Sequence, residues 1–215
     1  MLIFNTILNT ILGAKCFLCK KDSEILCQEC ISVLPFTDRE SMDWIFPIYD
    51  YTDKNVQKCI QLLKYRHNKA IAVLLAQSIF PRFLEEKIDL DIWHNFSNAI
   101  LIPIPISKRK RNLRGYNQTE IIAQTFLDLN KEGIKLQKNI LIKKRETIPQ
   151  ANIKNRQERL KNPKDSFEVL DQEKVQSKNI ILIDDVVTTG ATLSEAKKIL
   201  LKAGAKNVFA FTLAH

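Results

Sequence analysis

Glycine and proline are scarce in this chain, 5 and 7 among 215 residues, which excludes collagen-like repeats and low-complexity linkers. No internal repeat is present. Two phosphate-binding signatures are missing. There is no Gly-x-x-x-x-Gly-Lys-Ser/Thr loop and no Gly-x-Gly-x-x-Gly, so P-loop nucleotide hydrolysis and that dinucleotide fingerprint are excluded. Histidine is rare, and His67 and His94 each stand alone, as surface residues do. Residues 1–14 lack the basic start of a signal peptide. Their apolar residues, Leu2, Ile3, Phe4, Ile7, Leu8, Ile11 and Leu12, repeat at helical spacing, but the stretch is too short to span a bilayer. No transmembrane segment is expected. The polar face carries Asn5, Thr6, Asn9 and Thr10 without Lys or Arg, so packing on the protein is favoured over peripheral membrane contact.

What is present suits a folded α/β protein. Hydrophobic residues make up 45% and charged residues 27%, enough for one full domain and a small appendage. The formal net charge of +9 favours anionic partners without choosing among phosphates, nucleic acid and acidic membrane. Strands are expected over Trp44–Tyr51, Ala99–Ile106, Ile140–Ile142, Ile180–Ile183 and Val208–Leu213. Helices are expected around Val56–Leu63, over Ile71–Leu84 with a bend near Pro81, over Asn117–Leu129, and over Leu193–Ala203 before Gly204. Alternating strands and helices imply parallel βαβ units.

Cysteine, with 5 residues, is clustered rather than spread. Cys16-x-x-Cys19 and Cys27-x-x-Cys30 supply the four thiolates of a tetrahedral zinc site, and this pattern fits a reducing cytoplasm better than secreted disulfides. Cys59 lies on an apolar helical face and reads as core. The expected division is a Cys-rich unit over residues 1–40, helix and zinc knuckle, and an α/β domain over 41–215.

The most informative run is Ile180–Thr192. Ile180, Ile181, Leu182 and Ile183 form a strand buried on both faces. Asp184 and Asp185 follow at its carboxyl end, where open α/β sheets bind ligands. Thr188, Thr189, Gly190, Ala191 and Thr192 then lead into a helix. Small hydroxyl residues and a glycine at a helix N-terminus suit a phosphate, because backbone N–H groups and hydroxyls donate to it. The two carboxylates suit sugar hydroxyls or a Mg²⁺ that neutralises the ligand. The plainer alternative is an N-capped helix with Thr192 as cap.

This run resembles the phosphoribosyl pyrophosphate (PRPP) motif of type I phosphoribosyltransferases. The paired Cys-x-x-Cys knuckles, Leu63-Lys64-Tyr65, Ile102-Pro103-Ile104-Pro105, Arg114-Gly115-Tyr116-Asn117-Gln118, Gln150 with Arg156 to Asn162, and Gly204-Ala205 occur in order over about residues 14–215. Together they resemble the ComF family, competence-associated phosphoribosyltransferase-like proteins with an N-terminal zinc knuckle.

The resemblance implies a mostly parallel sheet with flanking helices. It implies that Asp184 and Asp185 contact the ribose hydroxyls as catalytic residues, and that Val187, Thr188, Thr189, Gly190, Ala191 and Thr192 cradle the 5′-phosphate. It puts Ser107, Lys108 and Arg109 near the pyrophosphate, and a lid carrying Arg145, Lys154, Arg156 and Arg159 over the site. Zinc would be structural, on Cys16, Cys19, Cys27 and Cys30, and Mg²⁺ would arrive with PRPP. The chain has no room for the glutaminase domain of amidophosphoribosyltransferases. Three functions are carried forward: Mg-dependent phosphoribosyl transfer linked to DNA uptake and its machinery, non-catalytic single-stranded-DNA handling regulated by PRPP, and nucleotide salvage. Lys108-Arg109-Lys110-Arg111, with Arg114 and Tyr116, serves either a pyrophosphate or a DNA backbone, its side chains diverging in an extended loop. Asn117-Gln118 either reads an acceptor or caps the following helix.

Overall fold

Four apolar residues in a row, Ile180–Ile183, demand a strand covered on both sides, and the computed structural model puts them at the centre of a parallel sheet. It describes residues 15–22, 24–39, 41–64, 68–130, 134–144 and 166–215. Strand side chains alternate between faces. Accordingly, Ile181 and Ile183 join one apolar cluster with Phe211 and Leu213, whereas Ile180 and Leu182 join a second with Val208 and Ala210. Each fully buried Ile or Leu contributes about 1.5–3 kcal/mol.

The strands of the main sheet are β1 (Ile45–Tyr49), β2 (Ile100–Pro103), β3 (Lys135–Leu136), β6 (Asn179–Val186) and β7 (Asn207–Ala214). Their order is β1-β7-β6-β2-β3, and every pairing is parallel. A separate antiparallel pair is formed by β4 (Leu141–Lys143) and β5 (Phe167–Val169).

The helices are α1 (Gln28–Ser32), α2 (Lys54–Leu63), α3 (Lys69–His94), α4 (Lys108–Arg114), α5 (Gln118–Leu129) and α6 (Ala191–Lys202). Helices α2, α3 and α5 cover one face of the sheet, through Ile60, Leu63, Leu75, Phe83, Ile122 and Phe126. Helix α6 covers the other, through Leu193, Ala196 and Leu200. Asp53 caps α2 by accepting from the Asn55 and Val56 amides at 2.8 and 2.9 Å. Asn117 caps α5 and also donates to the Ile104 carbonyl at 3.0 Å, which ties that helix to the end of β2.

Two expectations are corrected. Helix α3 runs through Pro81 to His94 instead of stopping near Leu84. Pro81 is exposed, so the carbonyl it leaves unbonded meets water, while buried Ile79, Phe83 and Leu90 hold both halves on the sheet. Strand β6 extends to Val186, so Asp184 and Asp185 lie within it, with Asp184 in register with Thr212. Ladder bonding to β7 carries the strand past the point where its apolar pattern ends.

Leu26, Ile31 and Leu34 of the Cys-rich segment are buried in the same cluster as Val56 and Ile60 of α2 and Ile71 and Leu75 of α3. No helix among the described residues is long and apolar enough to cross a membrane. The expected helix at 1–14 and the lid residues Arg145, Lys154, Arg156 and Arg159 lie outside the described residues, as does His67.

Candidate functional site

Consecutive residues of a strand face opposite ways, so the two aspartates do different things. Half-buried Asp184 lines a concavity with Val186, Val187, Thr188, Gly190, Ala191, Thr192 and Leu193. Asp185, 8% exposed, turns to the other face. Its Oδ2 accepts from Gln118 Nε2 at 2.8 Å and lies 3.3 Å from Lys64 Nζ. Arg114 Nη1 in turn donates to Gln118 Oε1 at 2.8 Å.

The charges differ accordingly. Burial and the neighbouring Asp185 charge push Asp184 up to about 7, against the Asp185 backbone amide that donates to its Oδ1 at 2.8 Å. Burial raises Asp185 too, but Lys64, Gln118 and Arg114 outweigh it and hold that carboxylate below its ordinary value. Neither aspartate sits beyond the strand. Asp185 is a structural anchor, because replacing it strands Lys64.

The loop after β6 enters α6 through Gly190, at φ +70°. Gly190, not Thr192, is the N-cap; it has no side chain to offer, and Thr189 Oγ1 accepts from Ala191 N at 3.4 Å. The Gly190 carbonyl accepts the first helical bond, from Ser194 N at 2.8 Å. First-turn N–H groups have no partner inside a helix, and the helix dipole favours an anion there. Gly190 has a structural reason of its own. A Cβ at this position would meet Met42 Cε at 3.1 Å and Ile45 Cδ1 at 3.5 Å, so glycine is required by the positive φ and by packing on the segment before β1. Gly190→Ala should therefore cost about 1–2 kcal/mol of stability in urea unfolding, and Gly190→Val more. An unchanged unfolding midpoint would refute this.

The basic run is a helix, not an extended loop. Ser107 caps α4, its Oγ accepting from Lys110 N at 3.4 Å. Helical geometry then divides the cations. Lys110 and Arg114, one turn apart, lie toward Asp185 and Lys64, and burial together with Arg114 pushes the Lys110 pKa down. Arg111 is engaged by Glu120 through two bonds of 2.8 and 2.9 Å. Lys108 and Arg109 are exposed. Tyr116 is 6% exposed and donates its hydroxyl to the Leu63 carbonyl at 2.8 Å, so its ring is not available to stack on a base.

A second constellation lies in the N-terminal segment. The Sγ atoms of Cys16, Cys19, Cys27 and Cys30 are all within 4.8 Å of one another, with Cys19 and Cys27 at 3.7 Å. Zn–S bonds of about 2.3 Å in a tetrahedron place sulfurs about 3.8 Å apart, so the cluster fits zinc. Burial raises the Cys16 pKa, but the Cys19, Cys27 and Leu18 backbone amides outweigh it and bring the thiol down to about 6. All five cysteines are free of disulfides.

Comparison with known proteins agrees with this geometry. The family model of the phosphoribosyl transferase domain matches residues 116–215. Competence protein ComFC of Streptococcus pneumoniae is 33% identical over 143 residues, covering 65% of this chain and 56% of that protein. Competence protein F of Haemophilus influenzae is 30% identical over 118 residues, covering 53% and 49%. Competence protein ComFC of Bacillus subtilis is 28% identical over 212 residues, covering 96% and 80%. The chain is similar to these competence proteins, and its C-terminal part matches the phosphoribosyl transferase domain. It thus spans about half the length of the first two relatives.

The fold brings Asp184 together with the loop from Val187 to Thr192, and groups the four cysteines that could hold a metal such as zinc. Exposed Lys108 and Arg109 are not drawn in among the described contacts of Asp185; Lys64, Lys110, Arg114 and Gln118 are. Of these four, Lys64 alone has no role assigned from the sequence; Lys110 and Arg114 stand in the basic run and Gln118 in the Asn117-Gln118 pair. Lys64, Arg114 and Gln118 lie in motifs that carry the ComF resemblance, and that was the signal available for them. Asn117 and Gln118 divide their labour: Asn117 caps α5, and Gln118 holds Asp185.

Proposed function

We propose that this chain, which resembles the ComF proteins, binds PRPP and transfers its phosphoribosyl group to a nucleophilic acceptor. The observation that carries the reading is Asp184, at the carboxyl end of the central parallel strand, lining one concavity with the loop that enters α6 through Gly190. The 5′-phosphate sits on the loop from Val187 to Thr192, where backbone amides and the Thr188, Thr189 and Thr192 hydroxyls donate. Asp184 and Asp185 accept from the ribose hydroxyls. Lys110 and Arg114 supply positive charge for the pyrophosphate, joined at the outer turn of α4 by Ser107, Lys108 and Arg109.

The raised pKa of Asp184 reflects a buried carboxylate with too little positive charge around it, which suits a Mg²⁺ arriving with the ligand. That ion, when bound, neutralises the pyrophosphate. In the reaction the C1–oxygen bond of PRPP breaks with its electron pair going to pyrophosphate. The acceptor forms the new bond to C1 and releases its proton to solvent. The reducing cytoplasm suits the free thiols.

Isothermal titration with PRPP and Mg²⁺ tests the reading. Saturable binding is expected, with ribose 5-phosphate and pyrophosphate each binding more weakly. Absence of PRPP binding would overturn it. A pyrophosphate-release screen over amine and base acceptors then separates turnover from binding alone.

A second reading, single-stranded-DNA handling in competence, is favoured by exposed Lys108 and Arg109 on α4 and by the competence names of the relatives. If these residues track a DNA backbone, affinity falls steeply with salt and the slope becomes shallower in Lys108→Ala/Arg109→Ala. Saturating PRPP should then compete only in part, because Lys110 and Arg114 face the other site. An unchanged salt slope would remove this reading.

A further inference from the structure

Lys64 is a conspicuous charge placement. A lysine beside Lys110 and Arg114 is electrostatically unfavourable unless a carboxylate compensates for it, and Asp185 does so at 3.3 Å. Its approach is rigid. Helix α2 is fastened to the core by Val56, Cys59, Ile60 and Leu63, and Tyr116 donates to the Leu63 carbonyl immediately before Lys64. Lys64 and Gln118 then converge on the same oxygen, Oδ2, from different elements. With Oδ2 held from two sides, the carboxylate has one orientation, and Oδ1 is directed elsewhere.

We propose that Lys64 is a positioning residue that fixes Asp185 as an acceptor of a ribose hydroxyl, beside Asp184 on the phosphate-loop side of the site. This rests on the ribose-phosphate reading above. It separates the roles of two adjacent aspartates by their partners. Asp185 has a resident cation and a rigid amide; Asp184 faces the concavity. An ordinary surface ion pair would contribute little. This pair joins a 33%-exposed lysine side chain to an 11%-exposed carboxylate, so screening by solvent is limited.

The pH consequence has a definite sign. The groups facing Asp185 are Lys64 after α2, Lys110 and Arg114 on α4, Gln118 on α5 and Asp184 on β6; Lys143 on β4 acts on Asp184. Removing the Lys64 charge raises the pKa of Asp185. Ligand binding that needs Asp185 ionised is then lost at a higher pH than in the parent.

The experiment compares the parent with Lys64→Met and Lys64→Arg by titration with PRPP and Mg²⁺ from pH 5 to 8, with ¹³C-carboxyl NMR of Asp185 in the ligand-free proteins. Lys64→Met should bind about tenfold to a hundredfold more weakly at pH 7. Its binding midpoint should move to higher pH, as should the Asp185 titration. Lys64→Arg should restore both pH profiles. Lys64→Met with parental affinity and pH profile overturns the inference. Should that variant fail to fold, Lys64→Gln takes its place, and an unshifted Asp185 titration overturns the inference equally. A parent protein that binds no PRPP refutes the ribose-phosphate reading, and is distinguished because it involves no variant.

Discussion

Removing zinc, or replacing Cys16 by Ser, is expected to unfold the segment from Lys15 to about Leu34 while the parallel sheet persists. The segment has little regular secondary structure of its own, although Leu26, Ile31 and Leu34 are buried against α2 and α3. Its one helix, α1, has 5 residues, and the Lys15–Asp22 contact is an isolated bridge. Structural zinc contributes apparent binding energies of about 10–16 kcal/mol in small finger peptides, far more than such a segment gains from its own backbone bonds. The sheet has independent support, because the cluster under α6, with Ile180, Leu182, Val208 and Ala210, draws on no residue before Trp44 among the described apolar residues. The opposite cluster does include Leu26, Ile31 and Leu34, so a lower unfolding temperature is expected alongside the local loss. Metal analysis should find close to one zinc per chain. Hydrogen exchange should show amides 16–34 losing protection in Cys16→Ser, with those of β6 and β7 retained. Freshly purified, reduced protein that holds no metal yet protects those amides would refute the zinc assignment.

Asp184→Asn is expected to stabilise the protein while weakening its ligand. In the folded chain the carboxyl titrates near 7, against an ordinary value of 3.8. A carboxyl with a raised folded pKa favours the fold below its unfolded pKa, and that contribution is lost as pH rises through the folded value. The parent therefore bears a penalty that grows from about pH 4 to pH 7 and then levels off. Asparagine removes it and keeps an oxygen to accept the Asp185 amide. Asp184 is half-buried and coupled to Asp185, so the gain at pH 8 is on the order of 1–2 kcal/mol. Urea unfolding should show that gain at pH 8 and almost none at pH 4. PRPP affinity should fall by about tenfold or more, as expected for loss of a charged acceptor. A variant less stable than the parent at pH 8 would contradict the burial argument. One that binds PRPP normally would remove Asp184 from the site.

The opposite signs expected for stability and binding fit a residue kept for its ligand. A carboxylate buried beside another carboxylate opposes folding, and such groups concentrate at functional sites. Asp185 differs only by its partners. Its neighbour Lys64 and the amide of Gln118 turn the same chemical group into an anchor.

Sequence by itself determined the features that depend on near neighbours along the chain. The apolar run Ile180–Ile183 specifies a central strand because no other arrangement buries both of its faces. The spacing Cys16-x-x-Cys19 and Cys27-x-x-Cys30 specifies a four-thiol cluster because each pair spans one turn. Only the tertiary structure decided which charges meet. Lys64, Arg114 and Gln118 come from three separate elements, and Gln118 stands 67 residues before Asp185. Helix α4 decided that Lys110 and Arg114 lie toward the site while Glu120 takes Arg111, because a helical turn separates side chains that are adjacent in sequence. Packing decided that Tyr116 supports Leu63 and that Gly190 faces Met42. Composition carries a residue's charge and size, but the partner that satisfies it is set by the sheet that brings distant segments to one edge.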